Sequence, residues 1–168
     1  MNSRRAALLT VLALLLGACG FHLREEAKLP AGMQRVRVEG AEPVSPLGRD
    51  LRRALERSGA QIVDAGGAGV AALRIGVNRI GTEVLSVGGN ARANEYTLRY
   101  HVEFDVVDGA GAPILSRQVI ELTREFTFDA SQALGVAAEQ DLLTQELQRE
   151  MVQAMLRRLE TRAHTPPA

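Results

Sequence analysis

The chain has 168 residues, 46% of them hydrophobic and 24% charged, and its 20 basic and 20 acidic residues cancel to a formal net charge of zero. That is the size and composition of one globular domain, and the lack of a basic excess argues against a nucleic-acid partner. A single cysteine excludes an internal disulfide framework, and with 4% aromatics and no tryptophan the core must be aliphatic.

The amino end reads as a leader. Arg4 and Arg5 precede an apolar run from Ala6 to Leu16, broken only by Thr10. The run is shorter than the roughly 20 residues a permanent membrane helix needs, and it has the charge order of a secretory signal. Leu16-Gly17-Ala18-Cys19 then follows the pattern of a bacterial lipobox. Residues 1–18 are therefore expected to be removed as a lipoprotein signal peptide, with Cys19 diacylglycerylated on sulfur and acylated on its new amine. A thiolate is the nucleophile that this transfer needs. The alternative, an ordinary leader with a chance or buried thiol, leaves the position of the chain's single cysteine without a reason. Several acyl chains give stable anchoring where one does not, and Gly20 in place of Asp points to the outer membrane. Loss of Arg4 and Arg5 leaves 18 basic residues against 20 acidic ones.

Residues 19–33 read as a lipidated tether, residues 34–160 as the folded domain and residues 161–168, with Pro166-Pro167, as a disordered tail. Within the domain, Gln34–Glu39 alternates polar with apolar and predicts a short strand. Ser45 as a cap, Pro46 in the first turn and Gly59 past the end bracket an amphipathic helix, with Leu47, Leu51, Ala54 and Leu55 on one side. Gln61–Val63 is a short extension and Gly66–Gly69 a turn that lacks the Lys and Ser/Thr of a phosphate loop. Leu73, Ile75 and Val77 mark a second strand, parallel to the first through a crossover. Residues 81–93 read as a loop or a loose hairpin tip. From Tyr96 to Val106 the alternation is strict, with Tyr96, Leu98, Tyr100, Val102, Phe104 and Val106 on a dry face and Thr97, Arg99, His101, Glu103 and Asp105 on a wet one. After a turn at Asp108–Gly111 the chain returns as a strand over Ile114–Phe128. A helix over Ala137–Leu159, with Leu143, Leu147, Met151, Ala154, Met155 and Leu159 as its apolar stripe, ends the domain. The expected fold is α+β: a two-layer sandwich in β-α-β-β-β-α order, with two helices on one face of a four-stranded mixed sheet.

The residue patterns suggest no chemistry. His22, His101 and His164 share no metal-ligand spacing, no serine sits in a nucleophile elbow, and Glu103 and Asp105 share their face with Arg99 and His101, which favours ion pairs over an acid–base dyad. No enzyme activity, cofactor or metal is expected.

Cys19-Gly20-Phe21-His22-Leu23-Arg24 resembles the mature start of the LptE family of lipopolysaccharide-assembly lipoproteins. The resemblance continues through Pro46-Leu47-Gly48-Arg49, Glu95-Tyr96, Phe126-Thr127-Phe128-Asp129, Glu139-Gln140-Asp141-Leu142-Leu143 and Met155-Leu156-Arg157-Arg158-Leu159, in the family's order. It implies a lipid-anchored plug and assembly partner inside the outer-membrane β-barrel LptD, on the periplasmic side, that contacts lipopolysaccharide. A polar barrel lumen suits the wet sheet face. Lipopolysaccharide carries phosphates, so contact implies arginine: Arg92 before the long strand, with Arg99 and Arg124 behind it. Each of these is also readable as a solvated surface arginine. Some members carry a basic residue in the turn before the last helix, where this chain has Ala133–Ala138. The alternative to the plug is a free-standing outer-membrane lipoprotein that binds another periplasmic ligand or protein.

Overall fold

The computed structural model describes residues 28–87, 93–127 and 133–164. The elements run β1 (Arg35–Glu39), α1 (Pro46–Arg57), β2 (Gln61–Ile62), β3 (Ala71–Val87), β4 (Ala93–Val107), β5 (Pro113–Thr127) and α2 (Ala133–His164). They form one sheet in the order β2-β1-β3-β4-β5. β1 lies parallel to both β2 and β3, and β3, β4 and β5 form an antiparallel meander.

Local chemistry explains α1. The Ser45 hydroxyl oxygen accepts from the Gly48 amide at 3.1 Å, which satisfies one of the free donors of the first turn, and its O–H donates to the Glu42 carbonyl at 2.7 Å. Pro46 follows at the first helical position. Leu47, Leu51, Ala54 and Leu55 are buried, and Gly59 leaves the helix with φ of +87°, a backbone conformation that glycine adopts without strain.

The core forms where both helices cover one face of the sheet. Leu98, Tyr100, Val102, Phe104 and Val106 of β4 are buried against Leu147, Met151, Ala154, Met155 and Leu159 of α2 and the apolar side of α1. α2 packs on β5, β4 and α1. Burial pushes the Tyr100 phenol up to about 12, so the ring stays uncharged at neutral pH.

The α+β class and the two-layer arrangement are as expected, and four details differ. The sheet has five strands, because Gln61 and Ile62 pair with Arg35 and Val36; two residues are too few to show a period. β3 continues through Val87, where a loop or a loose hairpin tip is expected from residue 81. Gly81, Val84 and their neighbours pair in register with β4, so a long-range ladder overrides the local glycine signal. α2 begins at Ala133 and runs to His164, which makes Thr161–His164 helix and leaves residues 165–168 outside the described part. Arg162 Nε holds that last turn by donating to the Ile114 carbonyl at 2.9 Å.

The fourth difference is a bulge. Ile75 pairs with Phe104, but Val77 pairs with Glu103, so the extra residue reverses the alternation of β3. Leu73 and Ile75 are buried, whereas Val77 sits on the charged face, not in one row with them. Gly40 marks the same spot: its φ is +77°, and a Cβ there would lie 2.0 Å from the Ile75 carbonyl oxygen. The end of β1 thus lies directly against the backbone of β3 where β3 kinks.

Two outcomes follow in urea unfolding. Phe104→Ala should cost about 3–5 kcal/mol by opening a cavity under both helices. Gly40→Ala should cost more than Ser45→Ala, the latter about 1 kcal/mol for a lost cap, since it meets both a steric clash and an unfavourable φ. A milder Gly40→Ala would show that the β1–β3 contact is loose.

Candidate functional site

The face of the sheet away from the helices is a connected array of charges. β4 supplies Arg99, His101, Glu103 and Asp105 at alternate positions, and β3 and β5 bring partners beside them. Arg99 donates to both oxygens of Glu83 at 3.0–3.2 Å and also pairs with Glu121. His101 Nε2 lies 3.1 Å from Glu103 and its Nδ1 lies 3.5 Å from Glu121. Glu103 pairs in turn with Arg117. The chain of contacts is therefore Arg117, Glu103, His101, Glu121, Arg99, Glu83, crossing all three strands. Arg74 Nε donates to Asp105 at 2.9 Å at the other end of β4.

These pairs leave the face polar and largely self-neutralised. The hydrogen bond to Glu83, followed by the charge of Glu121, raises the Arg99 pKa above its ordinary value, and the bond to Asp105 does the same for Arg74. Both stay cationic at all relevant pH. Glu83, Glu103, Asp105 and Glu121 are each engaged by an arginine, so the array is close to charge balance, with three arginines against four carboxylates and His101 between two of them. Among the described residues, no cluster of His, Cys, Asp or Glu could hold a metal ion, and no helix is long and apolar enough to cross a membrane.

The site residues expected from the sequence do not form one cluster. Arg99 lies in the array. Arg124 is on the opposite face: it stands across from buried Leu98 and reaches α2, where its Nη2 lies 2.6 Å from Glu150 and 4.0 Å from Glu146. Arg124 thus clamps helix to sheet. This was readable from parity, since Arg124 shares its register with Ile120, Leu122 and Phe126. Cys19 and Arg92 lie outside the described residues. The wet face of β4 and its ion pairing are readable from the alternation, but the full array is not, because Glu83 falls in the stretch expected as a loop or loose hairpin tip and its contact with Arg99 depends on the register of β3.

Arg124→Ala combined with Glu150→Gln in a double-mutant cycle should give a coupling of up to about 1 kcal/mol, as for partly exposed pairs. Arg99→Ala should barely move the urea midpoint, because its pairs are exposed to water. A large loss for Arg99→Ala would make the array a folding device.

The comparisons with known proteins agree with one another. The LptE family, described as lipopolysaccharide-assembly, matches residues 33–159. The chain is 30% identical to the LPS-assembly lipoprotein LptE of Photorhabdus laumondii over 96% of this chain and 88% of that protein. It is 34% identical to the LPS-assembly lipoprotein LptE of Yersinia pestis over 96% of this chain and 78% of that protein. Among solved structures, lipoprotein B of Nitrosomonas europaea superposes with a TM-score of 0.68 at 31% identity, over 82% of this chain and 88% of that one. The rare lipoprotein B of Shewanella oneidensis gives 0.63 at 27% identity, over 73% and 91%. With a family match over most of its length and relatives above 30% identity that span nearly all of it, the chain belongs to the LptE family.

Proposed function

We propose that the chain is a non-catalytic outer-membrane lipoprotein of lipopolysaccharide assembly, anchored through acylated Cys19 and working as plug and assembly partner of the β-barrel LptD. The family supports the role in lipopolysaccharide assembly. The observation that carries the plug reading is the paired charge array. A water-filled barrel lumen is lined by polar groups, and a plug inside it needs a surface that remains stable when wet. Carboxylates and guanidinium groups that already neutralise one another can exchange partners with lumen residues at little cost in net charge. A broad apolar patch, the usual mark of an obligate interface, would suit such a lumen badly.

Lipopolysaccharide contact is the finer part of the proposal, with Arg92, Arg99 and Arg124 as its candidates. A phosphate at Arg99 would have to displace Glu83 and Glu121, and Arg99 and Arg124 serve opposite faces, so the two belong to separate surfaces. Arg92 lies outside the described residues and stays a candidate on the resemblance alone.

Mild-detergent extraction tests the reading. LptD should co-purify in fixed ratio with the chain, and Arg99→Glu should reduce the yield of LptD several-fold while the urea midpoint stays near that of the parent. Recovery of the chain alone would support a free-standing lipoprotein and overturn the plug. Cys19→Ser should accumulate as an unprocessed, unacylated precursor in mass spectrometry; normal processing would remove the anchor.

A further inference from the structure

β5 is the outer strand of the sheet and spans 15 residues. At such an edge, alternate residues direct N–H and C=O groups away from the sheet, where they act as a template for another strand. Here side chains cover part of the edge. Arg162 Nε donates to the carbonyl of Ile114 at 2.9 Å. Gln118 Nε2 donates to those of Ser116 and Arg117 at 3.0 and 3.3 Å, and Arg124 Nη1 donates to that of Thr123 at 2.9 Å. None of these donors reaches the stretch between them, residues 118–122.

That stretch borders a cavity of about 370 Å³ between β5 and α2. Ile120, Leu122 and Ala154 supply its apolar wall, and Arg157 and Arg158 stand on its helix side. Both arginines are exposed, and neither has a carboxylate partner among the described residues. Val119 and Glu121, from the other side of the strand, and Thr161 complete the lining, so one carboxylate borders the groove opposite the two arginines; Val119 is 52% exposed. A strand edge left uncovered among the described residues, beside a helix and with a cavity between them, is the geometry by which a sheet accepts an extended peptide: the main chain pairs with the edge and alternate side chains drop into the groove.

We propose that residues 118–122 of β5 form a strand-addition site for an extended, acidic segment of a partner protein. Its main chain extends the sheet, its apolar side chains enter the cavity against Ile120, Leu122 and Ala154, and its carboxylates pair with Arg157 and Arg158. A second copy of this chain fits poorly. Antiparallel pairing of two β5 edges puts both α2 helices on the same side and brings two Arg157-Arg158 pairs together. The outer edge of β3 beyond Arg74 also has no strand beside it among the described residues. The inference does not rest on the barrel reading and holds for any acidic extended partner.

The test uses the full chain in mild detergent with a fluorescein-labelled peptide of alternating Glu and Val, and a Lys–Val peptide as control. Saturable binding of the Glu–Val peptide is expected, with slowed hydrogen exchange confined to amides of residues 118–122 and no change in β1 or β2. Arg157→Glu with Arg158→Glu, both at exposed positions, should weaken that binding at least tenfold and favour the Lys–Val peptide, with an unchanged unfolding midpoint. Equal binding of both peptides, binding without protection of residues 118–122, or no binding would overturn the proposal. So would concentration-dependent self-association that protects the same amides without peptide, since the occupant would then be a second copy.

Discussion

The constraint on which the molecule depends is the period-two alternation of β4. This strand pairs with β3 on one side and β5 on the other over most of its length. Its even-numbered residues from Leu98 to Val106 are buried under the helices, and its odd-numbered residues from Arg99 to Asp105 carry the charge array. A register slip of one residue would exchange the two sets, placing four ionisable side chains under the helices and five apolar ones in water. The alternation therefore fixes the register of the meander, the side on which the helices pack and the face left polar, all at once.

Division of labour between the two faces follows from this. On the covered face, stability comes from aliphatic packing, with Arg124 as an ionic clamp between β5 and α2. On the open face, the contacts from Arg117 across to Glu83 contribute little to stability, because exposed pairs are worth little. They do set what can approach: a polar partner can exchange ion pairs with the array, while an apolar one would have to strip water from charged groups without replacing them. The charge-rich face of β3–β5 and the groove beside the outer edge of β5 thus make different demands, with Glu121 bordering both.

Much of this was legible in the sequence, for reasons that particular residues make plain. Ser45, Pro46 and Gly59 punctuate α1 locally, and the strict alternation of Tyr96–Val106 exposes the faces of β4 without reference to anything distant. What stayed hidden depends on distant partners. β2 exists because Gln61 and Ile62 find β1. β3 runs through Val87 because β4 supplies a ladder to residues whose glycines signal a loop. The bulge after Ile75 moves Val77 to the charged face, and no pattern in Leu73-Arg74-Ile75-Gly76-Val77 announces it beyond the glycine itself. The charge array shares this dependence, for Glu83 meets Arg99 only through the register of β3 with β4. Arg124 is the opposite case: its parity with Ile120, Leu122 and Phe126 places it on the covered face, where its charge serves Glu150 of α2.

The central claim is that the charged face of the sheet meets the polar inner wall of a barrel. A photo-reactive residue in place of Thr123, exposed on that face beside Arg99, tests this most directly when irradiated in intact cells. A single crosslinked species containing LptD is expected, with the attachment point mapping to an inward-facing position of a barrel strand. Crosslinking to lipid, to periplasmic proteins other than LptD, or to nothing would contradict it.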